Sequence, residues 1–443
     1  MQYAPQFLFI LLTATAVYLF TRKAMMIRRN ILLGRDEALN DQPARRWKNL
    51  LLLAFGQKKM FRNPLVAVMH FFIYAGFIII NIEVLEIALD GLSGRHRLFA
   101  APLGPVYGWL INGFEFLAVT VLFFCIVFLL RRNVMKIRRL ISKDLDGWPR
   151  SDANYILLTE IALMSLFLTM NACDTILQSR GFGHYGEQLT GNFFFSSFLH
   201  PLLGGLSTGT LVTVERTCWW LHITGIFAFL NYLPYSKHLH ILLAFPNAYY
   251  ARLEPPGKMK NMPDIQQEVL YSMQPELAPA AGANPPEHKA FGAKDVTDLS
   301  WKNLLDAYSC TECGRCSAAC PANITGKLLS PRTIMMKTRD RLEEVGKQQR
   351  TGAAADQRTL LRDYITEEEL RACTACNACV EECPVSISPL DIILRMRRYL
   401  VMEESSAPQE WNAMFSNIEN NFAPWKFSPD ERGHWARAEG QAQ

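Results

Sequence analysis

The sequence predicts an all-α protein, in which a transmembrane bundle of five helices precedes a cytoplasmic α-helical domain. Three observations lead to this prediction. Half of the 443 residues are hydrophobic, and their long runs fill residues 1–250, whereas charge and proline concentrate after residue 250. Lys and Arg are unevenly distributed between the apolar runs, and eight of the eleven cysteines lie in two tight groups near the C-terminus. This pattern excludes a single soluble globule, and the many aromatic residues exclude a disordered or fibrous chain.

Five apolar stretches are long enough to cross the hydrocarbon core of a bilayer, which is ~30 Å thick and takes ~20 helical residues. They cover residues 5–21, 64–89, 107–130, 154–175 and 213–236. No basic residue precedes the first stretch, and Arg22 and Lys23 follow it directly. We therefore expect it to be a retained span rather than a cleaved signal peptide.

The basic residues between the stretches predict the orientation of the bundle. Eleven Lys or Arg lie in residues 22–63 and seven in residues 131–153, whereas the two opposite connections hold two each. Basic loops stay on the cytoplasmic side of membrane proteins. We expect the N-terminus outside the inner membrane and everything after residue 240 in the cytoplasm. Because these charges are topology signals, the net charge of +5 gives no reason to expect a nucleic-acid partner.

Composition divides the chain into four parts. Residues 1–245 hold the five spans, and residues 246–298 read as a linker rich in Pro and Ala. Residues 299–404 form a domain that contains the clustered cysteines, and residues 405–443 form a tail. The tail carries five large aromatic residues: Trp411, Phe415, Phe422, Trp425 and Trp435. Because disordered ends are poor in aromatic residues, we expect the tail to pack on this domain or on a partner chain.

The clustered cysteines form two copies of the run C-x2-C-x2-C-x3-C-P, which holds [4Fe–4S] clusters in two-cluster ferredoxins. In such runs three thiolates wrap one cluster, and the fourth reaches the other cluster. We therefore assign cluster I to Cys310, Cys313, Cys316 and Cys383, and cluster II to Cys373, Cys376, Cys379 and Cys320. The alternative is structural zinc, but zinc sites favour two C-x2-C pairs over two runs of four.

The residues around the two runs predict helices. Ser330-Pro331 and Ser388-Pro389 each place Ser at the N-cap and Pro at the first helical position, and Thr366 precedes three glutamates. We expect helices from Pro331 to Arg341, from Leu390 to Leu400, and from Thr366 into Cys373. This internal repeat resembles the α-helical ferredoxin domains of succinate dehydrogenase and heterodisulfide reductase.

Three histidines lie in or beside the spans, where a polar side chain is costly and a functional role is common. His70 lies near the cytoplasmic end of the second span, and His222 lies in the outer half of the fifth. His240 follows His222 by eighteen residues, so both face the same way on a regular helix, although Pro234 lies between them. Paired histidines on facing helices are typical of haem ligation. The alternative is a histidine that hydrogen-bonds to a neighbouring helix.

Two segments resemble the cytochrome b subunit of respiratory nitrate reductase and the membrane subunit of heterodisulfide reductase. Met69-His70-Phe71-Phe72 resembles their second helix, and Leu221-His222 through Leu239-His240 resembles their fifth. The resemblance implies that His70 and His240 share one b-type haem and that His222 is a ligand of a second haem. The position that would supply the partner of His222 is Ile80, so His200 is a candidate substitute, and His238 is a fallback ligand.

Carboxylates inside the spans are the candidates for proton exchange at a quinone site. Glu83, Glu115 and Glu160 each lie within an apolar stretch, where a charge costs about 2.5–3.5 kcal/mol on insertion scales. The alternative is a carboxylate paired with a neighbouring helix. The remaining cysteines, Cys125, Cys173 and Cys218, are expected to be small buried apolar side chains.

These features together predict an electron-transfer subunit rather than a substrate-converting one, so no catalytic residue is assigned. We expect electrons to pass between a membrane quinone and a cytoplasmic oxidoreductase through b haem and two [4Fe–4S] clusters. The tail residues Asn417-Ile418-Glu419-Asn420, Pro424-Trp425 and Arg432 with Trp435 resemble the segment that links ferredoxin and cysteine-rich CCG domains. This resemblance implies a separate CCG-type subunit and a flavoprotein as partners. Two alternatives stay open: a non-redox membrane anchor that docks a partner, and a self-sufficient disulfide reductase.

Overall fold

The structure is a computed structural model that describes residues 3–187, 189–255, 258–259, 261–278, 290–354, 356–426, 428–431 and 433–439. Over these residues the chain is helical, and its only β-type pairings are the isolated bridges Arg35 with Ser300 and Leu361 with Ile365. The predicted all-α fold is confirmed.

The N-terminal part consists of long apolar helices joined by shorter ones. Its helices are α1 (Ala4–Ile31), α2 (Pro43–Leu50), α3 (Pro64–Ser93), α4 (Ala100–Leu103), α5 (Pro105–Asn133), α6 (Trp148–Ser179), α7 (His200–Leu203), α8 (Thr208–Tyr232), α9 (His240–Tyr249) and α10 (Pro263–Met273). The connections contain single turns of 3₁₀ or π helix at Leu51–Phe55, Met60–Arg62, Arg138–Leu140, Lys143–Leu145, Gly183–Gly186, Ser196–Leu199, Leu233–Tyr235, Lys237–Leu239 and Pro275–Leu277.

In the described part of the chain, four helices are long and apolar enough to cross a membrane: α1, α3, α5 and α6. They contain four of the five predicted spans. The fifth stretch lies in α8, whose 25 residues give a length of about 37 Å at 1.5 Å per residue. Helices α3, α5, α6 and α8 pack side by side in that order, and α1 lies against α8 and α3. Apolar side chains such as Leu11, Leu85 and Phe123 remain exposed on the outside of this bundle, as lipid contact requires.

Local sequence explains where the long helices begin. Proline occupies the first turn of α1, α3, α5 and α6, where its missing N–H costs nothing. The Asn63 side chain accepts a hydrogen bond from the Val66 amide and so caps α3. At the other end of α3, Gly94 takes φ +70° and closes the helix in a left-handed cap.

The segment from His222 to His240 is not one regular helix, which corrects the prediction of a shared face. Helix α8 ends at Tyr232, and the turns Leu233–Tyr235 and Lys237–Leu239 separate it from α9, which begins at His240. Pro234 is the physical reason, because proline removes a helical hydrogen bond and clashes with the preceding turn.

The C-terminal domain is built from short helices around the cysteine runs. Its helices are α11 (Trp301–Ser309), α12 (Arg315–Ala319), α13 (Pro321–Ile324), α14 (Pro331–Thr351), α15 (Glu367–Arg371), α16 (Ala378–Glu382) and α17 (Pro389–Met402), followed by α18 (Gln409–Asn421) and α19 (His434–Glu439). Further single turns lie at Val296–Asp298, Leu360–Tyr364 and Pro429–Glu431. A core that includes Ile334, Leu342, Leu360, Ile392 and Met396 holds the domain together.

The predicted helix starts are correct to within one residue, but the ends and one cap differ. Helix α15 ends at Arg371, before Cys373, and α17 runs to Met402. Helix α14 runs ten residues beyond the expected end at Arg341, and the Ser330 side chain does not cap it. Ser330 instead hydrogen-bonds to Ser317, with 2.8 Å between the hydroxyl oxygens. Ser388 and Thr366 do cap α17 and α15, each accepting a hydrogen bond from a backbone amide of the first turn.

The C-terminal domain lies directly against the bundle, at the end that carries the basic loops. Arg62 forms an ion pair with Glu382 at 2.8 Å. The Tyr308 hydroxyl oxygen accepts a hydrogen bond from the Asn30 amide at 2.8 Å. The Lys59 ammonium donates to the Val380 carbonyl at 3.4 Å. The two basic connections predicted to share one side of the membrane thus lie on the same side as the domain.

The linker and the tail are less uniform than predicted. Helix α10 and the turn Val296–Asp298 lie within the predicted linker, while its Ala/Pro run over 279–289 lies outside the described residues. In the tail, α18 presents Trp411 and Phe415 to solvent, and Phe422, Trp425 and Trp435 are more exposed still. The tail aromatics therefore stand out from the described part of this domain instead of packing on it.

Candidate functional site

The two cysteine runs fold in the same way. The residue before the second cysteine of each run has φ +53°, at Glu312 and at Ala375. The residue after that cysteine also has positive φ, +72° at Gly314 and +62° at Asn377. The third cysteine then lies on a short helix, α12 or α16, and these two helices pack against each other. The repeat in the sequence is thus a repeat in backbone conformation.

The eight cysteines line two neighbouring cavities. Cys310, Cys313, Cys316 and Cys383 line the first cavity. Cys320, Cys373, Cys376 and Cys379 line the second, and Cys379 also borders the first. The fourth cysteine of each run thus lies in the cavity of the other run, as the sequence assignment expects.

The donor set favours a cluster over a single metal ion. Zinc would draw four sulfurs to ~2.3 Å from one point. Two runs of four cysteines that each end in proline are the pattern that holds [4Fe–4S] clusters, whereas zinc sites favour two C-x2-C pairs.

The environment of the thiols is mostly apolar. Burial raises the pKa of Cys310 to about 11 and that of Cys383 to about 12, so these thiols stay protonated until a metal displaces their protons. Backbone amides point at two sulfurs, with Ala375 N 3.4 Å from Cys373 Sγ and Ile387 N 3.3 Å from Cys383 Sγ. Such hydrogen bonds tune the reduction potential of a cluster.

Glu312 anchors the Cys310–Cys313 loop to the bundle. Its carboxylate lies 2.6 Å from the Lys237 ammonium and 2.7 Å from the Arg339 guanidinium, and its side chain is 3% exposed. Burial alone would raise the pKa of this carboxyl, but Lys237 and Arg339 together hold it below its usual value. Glu312 is therefore ionised at neutral pH, between two half-buried cations.

His70 and His240 both have ring atom Nε2 free to bind a ligand. The His240 Nδ1 lies 3.0 Å from the Lys237 carbonyl oxygen. Because a carbonyl only accepts, Nδ1 carries the proton and Nε2 is left free. His70 Nδ1 lies 3.1 Å from Gln57 Oε1, which gives the same arrangement. Both rings are half-buried.

The other histidines lie in different surroundings. His238 packs beside His240, with 5.5 Å between ring centroids. His222 is buried in the bundle, and its Nδ1 donates to the Leu163 carbonyl at 3.0 Å, which leaves Nε2 free there too. His200 Nε2 instead lies 2.9 Å from the Thr175 hydroxyl.

Two of the three predicted carboxylates belong to one buried group, which we call the outer polar network. It consists of Glu83, Glu86, Asp90, Arg97, Tyr107, Glu115, Asn171 and Asp174. Glu115 accepts from the Asn171 amide at 3.0 Å, whereas neither oxygen of Glu83 has a hydrogen-bond partner among the described residues. Glu83 lies 3.9 Å from Arg97. Glu160 lies apart from this network, half-buried and close to Cys125.

Sequence reasoning missed most of the outer polar network. Arg97 counted only as a loop charge, yet its guanidinium donates to Asp174 at 2.9 Å and to Asn171 at 2.7 Å. The signal was present in α3, because Glu83, Glu86 and Asp90 lie three and four residues apart and share one face of the helix. Cys125, Cys173 and Cys218 are buried, as predicted.

Comparison with known proteins matches the cysteine region to a family. The family model described as a 4Fe-4S dicluster domain matches residues 309–387. This match agrees with the two cysteine-lined cavities and supports iron–sulfur clusters as the cofactors of this domain. No solved structure matches the chain.

Curated relatives cover more of the chain. It is 29% identical to the probable iron-sulfur-binding oxidoreductase FadF of Bacillus subtilis, over 98% of this chain and 61% of the relative. It is also 29% identical to the EtfAB:quinone oxidoreductase of Syntrophomonas wolfei, over 92% of this chain and 56% of the relative. One subunit of the CoB-CoM heterodisulfide reductase of Methanosarcina acetivorans is 32% identical over 24% of this chain and 53% of the relative.

The chain spans less than two thirds of the length of these relatives. Two of their names describe oxidoreductases, and the match to the heterodisulfide reductase supports the ferredoxin part of the resemblance. With its apolar helices and its dicluster domain, the chain fits a membrane electron-transfer protein that carries [4Fe–4S] clusters.

Proposed function

We propose that this chain passes electrons between a membrane quinone and a cytoplasmic oxidoreductase, through a b-type haem and two [4Fe–4S] clusters. The observation that carries the proposal is the position of the cysteine cavities against the histidine pair. Arg315, which precedes Cys316, donates to the Lys59 carbonyl at 3.5 Å, in the connection that leads into α3 and His70. Lys237 joins the turn of His240 to Glu312 of the first cavity. The two redox sites are therefore built on contacting segments.

The lining of the two cavities supports the assignment of the cluster ligands. Cluster I is held by Cys310, Cys313, Cys316 and Cys383, and cluster II by Cys373, Cys376, Cys379 and Cys320. Among these cysteines Cys376 is exposed, which supports the second cavity as the side that meets a soluble partner. Electron exchange with a soluble partner is expected at that side.

The haem ligands are His70 and His240. A haem supplies a one-electron iron couple when it is bound between two imidazoles. The free Nε2 atoms fit this role, because ligating histidines donate their other ring nitrogen to an oxygen that fixes the ring. His222 offers the same arrangement to a second haem, with its Nδ1 bonded to Leu163. His238 is the fallback ligand beside His240, and His200, bonded to Thr175, is the weaker candidate.

The topology of five spans is part of the proposal. The end of α8 meets the start of α6, where Ser236 donates to Asp152 at 2.6 Å. Near the start of α8, Glu215 accepts from Tyr185, in the turn that follows α6, at 2.7 Å. Helix α8 therefore runs the full length of α6, which is apolar enough to span. This supports a fifth span, with the N-terminus outside and the C-terminal domain in the cytoplasm.

Quinone chemistry needs groups that exchange protons inside the membrane. Glu83 is the strongest candidate, because neither oxygen of its buried carboxyl is hydrogen-bonded to a described residue. Glu115 lies in the same network but is bonded to Asn171 and to the Phe195 amide. Glu160 is a third candidate on α6. The quinone itself is a diffusible partner, and the Syntrophomonas relative carries quinone in its name.

The cytoplasmic partner is expected to be a separate CCG-type subunit, which passes electrons to or from a flavoprotein. The exposed aromatic side chains Trp411, Phe415 and Trp425 support a docking role for the tail, since aromatic residues are enriched at protein interfaces. The relatives named for quinone oxidoreductase and heterodisulfide reductase support the existence of partner subunits.

The test is the haem content of the purified chain, with His70→Ala beside the wild type. We expect reduced-minus-oxidised spectra to show b-type haem in the wild type and its loss in the variant, while the iron–sulfur signals of both remain. Phe71→Ala, which removes an exposed neighbour of His70 on α3, is the matched control and should keep the haem. Wild-type protein with intact clusters and no haem would contradict the proposal and favour a non-redox anchor. Disulfide reduction by the chain alone would favour a self-sufficient reductase.

A further inference from the structure

Lys237 connects three parts of the molecule that the proposed function needs to hold together. Its ammonium lies 2.6 Å from Glu312, in the loop between Cys310 and Cys313. The same ammonium donates to the Pro149 carbonyl at 2.5 Å, at the start of α6. The carbonyl of Lys237 accepts the hydrogen bond of His240 Nδ1 at 3.0 Å.

The backbone of Lys237 is fixed as firmly as its side chain. Its amide donates to Asp152 Oδ2 at 3.1 Å, and the Ser236 hydroxyl donates to the other oxygen of the same carboxylate at 2.6 Å. Tyr232 also donates to Asp152. One carboxylate of α6 therefore holds the turn whose carbonyl orients His240.

The contact between Lys237 and Glu312 is almost completely shielded from solvent. The Lys237 side chain is 10% exposed and the Glu312 side chain 3%. A buried pair of this kind is costly to break from one side, because the remaining charge is left without its partner. Charges in such surroundings are weakly screened and act on nearby groups more strongly than surface charges do.

We propose that Lys237 is a positioning residue that fixes the cluster I loop against the His240 turn and sets the relative potentials of the two sites. The inference rests on the proposed function. The backbone of Lys237 orients the imidazole of His240, and its side chain holds the cysteine loop at the same point. Movement of one site without the other would break either the ion pair or the hydrogen bond. The ammonium lies against the first cavity through Glu312, and the backbone of the same residue contacts His240, so we expect its positive charge to favour the reduced state of both sites.

The experiment compares the full-length chain in detergent as wild type, Lys237→Met, Lys237→Arg and Glu312→Gln. Three quantities are measured: haem and iron content, the midpoint potential of the haem, and the rate of electron exchange between haem and clusters after rapid mixing with reductant. That exchange moves one electron between a reduced cluster and ferric haem, with no proton involved.

We expect Lys237→Met to keep its haem and iron and to exchange electrons about tenfold more slowly. Its haem should become harder to reduce. At a given potential the ratio of reduced to oxidised haem should fall tenfold, which corresponds to a midpoint potential lower by about 59 mV for a one-electron couple. Lys237→Arg should restore most of the rate, because it keeps the charge. Glu312→Gln should slow the exchange too but shift potentials in the opposite direction, since it removes a negative charge.

Lys302→Met is the matched control. Lys302 is also buried and paired, 2.5 Å from Asp306, and it also bonds to the bundle side, 2.9 Å from the side-chain oxygen of Asn247. It has no contact with the His240 turn among its described hydrogen bonds, and we expect this variant to keep the wild-type exchange rate and haem potential.

Two results would overturn this inference and leave the proposed function intact. One is a haem-replete Lys237→Met protein with wild-type potential and exchange rate. The other is an equal effect in Lys302→Met, which would make the loss a general effect of loosened packing. If Lys237→Met does not fold, Lys237→Arg and Glu312→Gln decide the question. Near-wild-type rate and potential in Lys237→Arg, together with a raised haem potential in Glu312→Gln, support the inference, and an unshifted potential in Glu312→Gln overturns it. A wild-type protein without haem would overturn the proposed function and this inference with it.

Discussion

Gly314 shows how single residues shape the cysteine loops. It follows Cys313 with φ +72°, and a Cβ at this position would lie 2.6 Å from Arg332 Nη1. The equivalent residue in the second run is Asn377, which tolerates a left-handed backbone but has a side chain. Gly is therefore required at residue 314 by the approach of Arg332 and not by the backbone conformation alone.

Gly314→Ala is expected to destabilise the protein more than Gly326→Ala. Both glycines have positive φ, but Gly326 has open space where the Cβ would be. The backbone strain alone costs about 1–2 kcal/mol, and overpacking against Arg332 adds about 1–3 kcal/mol at Gly314. The measurement is the temperature at which cluster absorbance is lost, together with iron content. Equal losses in the two variants would show that the Arg332 contact is unimportant.

At the scale of single residues, the sequence predicts the features that depend on short spacings along the chain. The eight cysteines and their distribution over two cavities agree with the pattern of the two runs. Lys237, Gln57 and Arg97 were not predicted as site residues, because their roles depend on partners far along the chain. Glu312 lies 75 residues from Lys237, and no local pattern relates the two.

Helix caps place the first cysteine of each run. Helix α11 ends directly before Cys310 and begins with a reciprocal cap between Ser300 and Asn303. Helix α15 ends two residues before Cys373 and begins with the same device between Thr366 and Glu369. Each cap satisfies otherwise unpaired amides of the first turn and fixes where the helix delivers its cysteine.

Thr366→Ala is expected to labilise the second cluster and to leave the first intact. Loss of an N-cap side chain costs about 1 kcal/mol, and α15 is only five residues long. Ser300→Ala is the reciprocal variant and should labilise the first cluster. The measurement is the EPR signal of each cluster during slow exposure to a chelator. Identical behaviour of both clusters in both variants would contradict this assignment of caps to clusters.

The elements themselves were largely predictable, except where proline and tertiary contacts intervene. Proline and Ser or Thr caps indicate the starts of α14, α15 and α17. Pro234 was recognised between His222 and His240, but the sequence alone does not show how far this proline interrupts the helix. The structure shows two turns between α8 and α9, so the facing of His240 depends on Asp152 and not on helical period.

The whole molecule depends on buried charge at the junction of bundle and C-terminal domain. Arg332 is 2% exposed in its side chain and forms a two-pronged pair with Asp144, with Nε and Nη2 at 2.9 and 2.5 Å from the carboxylate oxygens. Asp144 lies in one of the two basic loops. Burial would raise the pKa of Asp144, but the Arg332 guanidinium and the Ser142 hydroxyl hold it below its usual range.

Asp144→Asn is expected to weaken the docking of the C-terminal domain on the bundle. It leaves the buried Arg332 without its counter-charge, at a cost of about 3–5 kcal/mol. Asp146→Asn is the control, since Asp146 is 60% exposed and its pair with Arg150 is worth about 0–1 kcal/mol. The measurement is the rate of proteolytic cleavage in residues 250–298, which should rise in the first variant alone. Equal rates would show that the ion pair does not hold the domains together.

At the scale of the molecule, the sequence predicts apolar helices followed by a cysteine-rich domain, but not the contact between them. The side of the membrane stays a prediction. Hydropathy and basic loops indicate the spans, since both are local properties of the chain. The docking pairs Arg332 with Asp144 and Lys237 with Glu312 join residues 75 or more positions apart. The outer polar network likewise could not be predicted from the sequence, because it joins three helices and the loop that carries Arg97.

The fourth cysteine of each run lines the cavity of the other run, and this arrangement has a consequence for biosynthesis. The first cavity needs Cys383, and the second needs Cys320 as well as the run that begins at Cys373. Neither site is complete when the ribosome has made only the first run. On the proposed cluster assignment, we therefore expect iron loading to be completed only after both cysteine runs have been synthesised, when the apolar segments that precede residue 250 have already left the ribosome.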